Sequence, residues 1–137
     1  MIKQLSVFVE DKMGELTRIT SLLSDNNISI KSINLIDSSD FGLLRIIADD
    51  YKKASDILSK NGFSLTIADV LGVEIENRAG SFNDVVKILS ENEINIEYLY
   101  TVDSDTYGIF IFKVSRRDLK KAYDLLKQSN IKVLDGF

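Results

Sequence analysis

Leu5, Val7 and Val9 alternate with Gln4, Ser6 and Phe8, the two-residue period of a half-buried strand. From Gly14 the period lengthens, and Leu16, Ile19, Leu22 and Leu23 form one helical stripe. Asn26-Asn27, residues that tolerate a left-handed backbone, close that helix. Ile28 to Ile36 and Leu43 to Ala48 read as strands around the turn residues Asp37-Ser38-Ser39-Asp40. Asp50 is placed to cap a helix carrying Ala54, Ile57 and Leu58, which Asn61-Gly62 ends. Phe63 to Ile67 is the fourth strand.

The same order then starts again. Displaced by 66 positions, Leu5 and Val7 fall on Leu71 and Val73, Glu10 on Glu76 and Gly14 on Gly80. Asn26 falls on Asn92, Ile28 and Ile30 on Ile94 and Ile96, and Gly42 on Gly108. A two-residue slip later pairs Lys53-Ala54 with Lys121-Ala122. In the second copy, Leu71 to Ile75, Ile94 to Val102, Ile109 to Val114 and Ile131 to Leu134 are predicted strands. The helical stripes are Phe82, Val85, Val86, Ile88 and Leu89, then Leu119, Ala122, Leu125 and Leu126, with Ser115 and Asp118 spaced as a capping box. The chain is therefore expected to be α+β: two ferredoxin-like β-α-β-β-α-β modules, residues 1–68 and 69–137, each an antiparallel sheet backed by helices.

Strands two and three of each copy carry apolar residues on both parities, with Ile109 and Ile111 opposing Phe110 and Phe112. Such strands are usually covered on both faces. A module of this length buries only about 60% of its unfolded surface. Both points predict a protein contact through the open sheet face or a sheet edge, within the chain or in a homodimer.

Composition narrows the chemistry. Of the 137 residues 28% are charged, and there is no Cys and no His. Disulfides, thiol nucleophiles, Ser-His-Asp triads, zinc sites and haem ligation all fall away, and no cofactor is expected. The missing Cys fits a reducing compartment, with the cytoplasm as the expected location. A net charge of −4 opposes nucleic-acid binding. No apolar run approaches the roughly 18 residues of a membrane span, and Met1-Ile2-Lys3-Gln4 leads into a strand, not a signal peptide.

Glu10-Asp11-Lys12-Met13-Gly14-Glu15-Leu16 and Glu76-Asn77-Arg78-Ala79-Gly80-Ser81-Phe82 occupy the turn from first strand to first helix. A glycine there lets backbone approach a ligand, and first-turn amides attract a carboxylate. Asp11 and Asn77 offer acceptors for an ammonium group. The plainer alternative is that both glycines serve tight turns and that Asp11 and Asn77 are caps. Asp37, Ser39 or Asp40, and Gly42 match a calcium loop only in part, because Ala48 stands where a bidentate Glu belongs, so a hairpin turn is expected. Asp49-Asp50 reads as a helix start, and Arg45, inside an apolar strand, as half of an ion pair ahead of a ligand contact. Tyr98, Tyr100 and Tyr107 lack the interleaved basic residues of an RNA-stacking sheet, so packing is the expected role.

These loops, with Asn27-Ile28-Ser29-Ile30 and Glu93-Ile94-Asn95-Ile96 opening the second strands, resemble the ACT domain family over essentially the whole chain, as a small tandem pair. The resemblance implies a regulatory, allosteric module and not an enzyme. It implies an amino acid held at an interface between ACT units, between the loop of one and the second strand of its neighbour. Carried over by position, it marks Asp11, Met13, Gly14 and Ser29 in the first copy, and Asn77, Ala79, Gly80 and Asn95 in the second. The family's loop proline is replaced by Met13 and Ala79, and Ser29 stands where Asn95 keeps the family's Asn. Unequal sites are expected, the second the better equipped. The partners implied are a small-molecule ligand, a second copy in a homodimer and an enzyme of amino-acid metabolism. The alternative is a module with vestigial pockets that only docks on such an enzyme. Catalysis by carboxylates on this scaffold lacks a paired set of acids at the equivalent loops.

Overall fold

The computed structural model describes residues 1–10, 12–37, 40–102 and 107–136. The elements run β1 (Ile2–Val9), α1 (Lys12–Asp25), β2 (Ile30–Asp37), β3 (Gly42–Ala48), α2 (Tyr51–Lys60), β4 (Leu65–Glu76), α3 (Ser81–Glu91), β5 (Ile96–Val102), β6 (Tyr107–Val114), α4 (Leu119–Gln128) and β7 (Lys132–Leu134). The chain forms two compact units. One is Lys3–Ala68; the other is Asp69–Gly136 joined by Met1–Ile2. They are called the N-terminal and C-terminal units below.

Strand order in the N-terminal unit is β2-β3-β1-β4, and in the C-terminal unit β7-β4-β6-β5. Both are the split β-α-β order of the ferredoxin-like fold. The fourth strand of the first copy and the first of the second are one strand, Leu65–Glu76, divided between the units at Ala68. Ala68-Asp69-Val70 contains no Gly or Pro to interrupt an extended run, so the two short strands read from the pattern merge.

The alternation dictates which face is buried. Leu5, Val7 and Val9 stand in register with Ile46, Leu44 and Gly42 and pack with Ile19 and Leu23 of α1 and Ala54 and Leu58 of α2. In the C-terminal unit Leu71, Val73 and Ile75 join Phe112, Val114, Val85, Leu89, Ala122 and Leu126. Phe82 on α3 closes that core, 4.9 Å from Phe110 and 6.1 Å from Phe112 between ring centroids. The opposite faces are covered only in part, Phe8 being 44% exposed there. Gln4 and Ile47 are buried there, and so is Ile111, which is cross-strand from Gly72. A Cβ on Gly72 would press against the Ile2 side chain, so this glycine makes room for the N-terminus. Residues 1–2, placed in the first module by repetition, thus pack in the C-terminal unit.

All four helices stop in the same way. Asn27, Gly62, Glu93 and Asn130 have φ of 57°, 88°, 60° and 60°. The next residue, Ile28, Phe63, Ile94 or Ile131, donates its N–H back to the carbonyl of Leu23, Leu58, Leu89 or Leu126 at 2.9–3.1 Å. This is the Schellman stop, with its apolar contact between the residue after the turn and the last buried leucine. In three of the four, Asn26, Asn61 or Asn92 donates its Nδ2 to the carbonyl four residues back at 2.7–2.8 Å. Lys53 and its repeat partner Lys121 each donate Nζ to the carbonyl of Asn26 or Asn92. Glu93 is the misfit, because a residue with a Cβ at that φ carries a penalty of about 1–2 kcal/mol that glycine escapes and that asparagine bears more readily. Glu93→Gly is expected to stabilise the protein by about 0.5–1 kcal/mol in urea unfolding, part of the gain being offset by the freer unfolded chain. A loss of stability would mean that Glu93 makes a contact outweighing its strain.

Candidate functional site

The two loops that the repeat places in phase fold differently. Of the N-terminal loop, Asp11 lies outside the described residues. α1 already includes Met13 and Gly14, so Gly14 is a helical residue and not a turn glycine. Glu15 explains the early start: its carboxylate accepts the Glu10 N–H at 2.6 Å, satisfying a donor ahead of the first turn. Met13 is 86% exposed on that turn. At the far end of α1, Ser29 exchanges hydrogen bonds with Asp49: its N–H donates to Asp49 Oδ1 at 3.0 Å, and the Asp49 N–H donates to its carbonyl at 3.1 Å. Asp50, next along, caps α2 by accepting the Lys53 N–H. Asp49-Asp50 is therefore a helix start.

In the C-terminal unit the residue in step with Glu15 is Ser81, too short to reach back, and the turn stays open. Gly80 takes φ 92° and ψ −16° and is the N-cap of α3, with no side chain capping the helix. The Arg78 N–H donates to the Glu76 carbonyl and the Ser81 N–H to the Arg78 carbonyl, winding the turn tightly. Asn77, Ala79 and Gly80 are exposed, so Asn77 is not the cap that the plainer reading made it. Arg78 lies 3.7 Å from both Glu76 and Asp84, two weak pairs at an exposed site. Asn95 is also exposed, two residues beyond the Glu93 turn. α3 separates it from Gly80 by about 16 Å at 1.5 Å per residue. Within one unit the loop and Asn95 cannot touch the same small ligand.

A cleft of about 530 Å³ opens beside this turn, wholly inside the C-terminal unit. It is lined by Glu74, Ile75 and Glu76 of β4, by Arg78, Ser81, Asp84 and Val85, by Tyr107 of β6, and by Asn130, Ile131 and Lys132. The β4–β7 ladder ends at Glu74 opposite Lys132, which leaves Ile75 and Glu76 bordering the cleft without a β7 partner. Lys132 Nζ sits 2.8 Å from Glu74, whose hydrogen bond and charge hold the ammonium above the ordinary lysine value. Ser81 is 93% buried by its 7% exposure, and its Oγ makes no hydrogen bond among the described residues. An orphaned buried hydroxyl costs about 1–3 kcal/mol, so its retention needs a reason. Sequence reasoning named the loop, with Arg78 and Ser81 in it, but gave neither of them a role. The available signal was the exchange of Glu15 for Ser81 at one repeat position; the cleft wall from β7 depends on a register that no local pattern reveals.

No group of His, Cys, Asp or Glu suited to a metal ion occurs among the described residues. No helix among them is long and apolar enough to cross a membrane.

Two ferredoxin-like units in tandem, each with a strand-to-helix loop leading its first helix, define a paired small-domain protein. The ACT domain pair family matches residues 1–135, and the chain belongs to that family. No curated protein matches it. Among solved structures, a protein from Bacteroides thetaiotaomicron is similar at 33% identity over 97% of this chain and 91% of that one, with a TM-score of 0.91. The ligand-free regulatory subunit of aspartate kinase from Thermus thermophilus is similar in fold at 14% identity, covering 93% and 91% of the two chains, with a TM-score of 0.65. A structure of aspartokinase alpha and beta subunits is similar at 20% identity over 92% and 90%, with a TM-score of 0.61.

Proposed function

We propose that this chain is a regulatory ACT pair that binds an amino acid, without catalysis of its own, and works in the cytoplasm on an enzyme of amino-acid metabolism. The observation that carries the reading is the open Gly80 turn. Its helix has first-turn amides that no side chain caps, beside the exposed Asn77 amide. A carboxylate on the amides and an ammonium on the Asn77 oxygen suit a zwitterion. Because Asn95 lies a helix length away, a ligand touching both loop and second strand bridges the C-terminal unit and a unit of a second copy. Such a ligand gains contacts only in the assembled state and biases that state by its differential affinity. A sensor of this kind needs a Kd of about 1 μM to 1 mM, roughly −8 to −4 kcal/mol.

The N-terminal unit supports the opposite reading for its own positions. Gly14 is helical, and the Ser29 N–H is already bonded to Asp49. One ligand per chain, on Asn77, Ala79, Gly80 and Asn95, is therefore expected, while Asp11, Met13, Gly14 and Ser29 contribute little. The test is a thermal-shift and calorimetric screen of the twenty standard amino acids, with sedimentation run beside it. One amino acid should raise the melting temperature, bind at one site per chain and favour a dimer. Silence across the whole set would leave the alternative, a module that only docks on its enzyme.

A further inference from the structure

Ser81 and Arg78 have no part in the interface reading, and the cleft they line is built within one unit. Three features converge there. The Ser81 hydroxyl is buried and lacks a hydrogen-bond partner among the described residues. The N-terminus of the 11-residue α3 lies at the same place and carries partial positive charge. The Arg78 guanidinium is held over that turn by a long 3.4 Å hydrogen bond from Nη1 to the Ala79 carbonyl and by two 3.7 Å contacts to carboxylates that are both well exposed. A hydroxyl can donate, a guanidinium can donate twice, and both then face an acceptor with spare lone pairs. That describes a carboxylate.

The remaining lining excludes a simple anion. Glu74, Glu76 and Asp84 outnumber Arg78 and Lys132, so phosphate or acetate would meet an excess of negative charge. A molecule carrying its own ammonium beside the carboxylate meets a matched pair of poles, with the acids of β4 facing the ammonium. Ile75, Val85 and Ile131 supply an apolar wall for a short side chain.

We infer that the cleft is the recognition pocket for the ligand's zwitterionic head, with Ser81 Oγ and Arg78 reading the α-carboxylate. This rests on the amino-acid reading above, which it refines by moving the head group from the exposed loop surface into the C-terminal unit. The orphaned hydroxyl is then a group kept unsatisfied until ligand arrives.

The experiment uses the full chain, whichever amino acid the screen returns, and that amino acid's α-carboxamide. Ser81→Ala should melt at a higher temperature than the parent without ligand, because an unsatisfied polar group has gone. Its affinity should nevertheless fall roughly tenfold, the loss expected when a hydrogen bond to a charged group is removed. Arg78→Met should weaken binding comparably, and the carboxamide should bind the parent at least about tenfold more weakly than the acid. Parent-like affinity in Ser81→Ala and Arg78→Met, with binding lost in Asn77→Ala, would overturn the pocket and leave the amino-acid reading standing. Failure of every amino acid to bind the parent would overturn both. Tight binding of inorganic phosphate to the parent would overturn the zwitterion assignment.

Discussion

Phe112→Ala is expected to destabilise the C-terminal unit by about 3–5 kcal/mol, read as a lower urea midpoint in far-ultraviolet circular dichroism. Phe112 is fully buried on the helix-covered face of β6, in register with Leu71 on one side and Leu99 on the other. Its ring is stacked on Phe82 at 6.1 Å and 18° and tilted against Phe110 at 6.5 Å. Truncation removes one of the two rings packed on Phe82, Phe110 at 4.9 Å being the other, and so loosens the first turn of α3 on the sheet. Whole domains are stable by only about 5–15 kcal/mol, so a loss of this size takes most of what a unit this small has. The repeat supplies a control. Ile46 is the matching residue of the N-terminal unit, equally buried but aliphatic. Ile46→Val removes one methylene and should cost only about 0.5–1.5 kcal/mol. A change below about 1 kcal/mol for Phe112→Ala would show that the aromatic cluster is not the centre of that core.

Much of this was written in periodicity. The helices, the left-handed stops at Asn27 and Gly62, and the cap at Asp50 follow from local chemistry, because each depends on residues within one turn of one another; the stop at Asn130 was not read from the sequence. Elements that depend on partners distant in sequence were not legible. The fusion of two strands into β4 is an exception, since the absence of a breaker at Ala68-Asp69-Val70 was on view and repetition argued for a boundary there instead. Glu93 takes a left-handed φ against its own preference because the Schellman stop and the burial of Ile94 outweigh it. Similarly, the repeat predicted matching glycine loops at Gly14 and Gly80, and one residue difference, Glu15 against Ser81, separated them. The cleft could not be read at all, since its far wall is set by the register of Lys132 on Glu74. What the sequence did carry about the site was the expectation that the two copies diverge there.

That divergence makes the two glycines respond oppositely to a side chain. A Cβ on Gly80 meets no atom within 4 Å, so steric collision is not the issue. The cost lies in the backbone, since valine at φ 92° gives up about 1–2 kcal/mol unless the turn rearranges. Rearrangement moves the uncapped amides of α3 and the Arg78–Ser81 turn together. Gly80→Val should therefore lower affinity for the screened amino acid more than tenfold while the far-ultraviolet spectrum of the folded protein stays close to the parent's. Gly14 sits inside α1, where glycine is the poorer helix residue, so Gly14→Ala should stabilise by about 0.5–1 kcal/mol. Its effect on affinity should stay within about twofold, because no ligand contact is assigned to a helical Gly14. Calorimetry on both variants, with urea unfolding, reads all four outcomes. Undiminished binding in Gly80→Val would remove the turn from the site. Weakened binding in Gly14→Ala would restore the N-terminal loop as a second site, and the two copies would then be equivalent in function despite folding their loops differently.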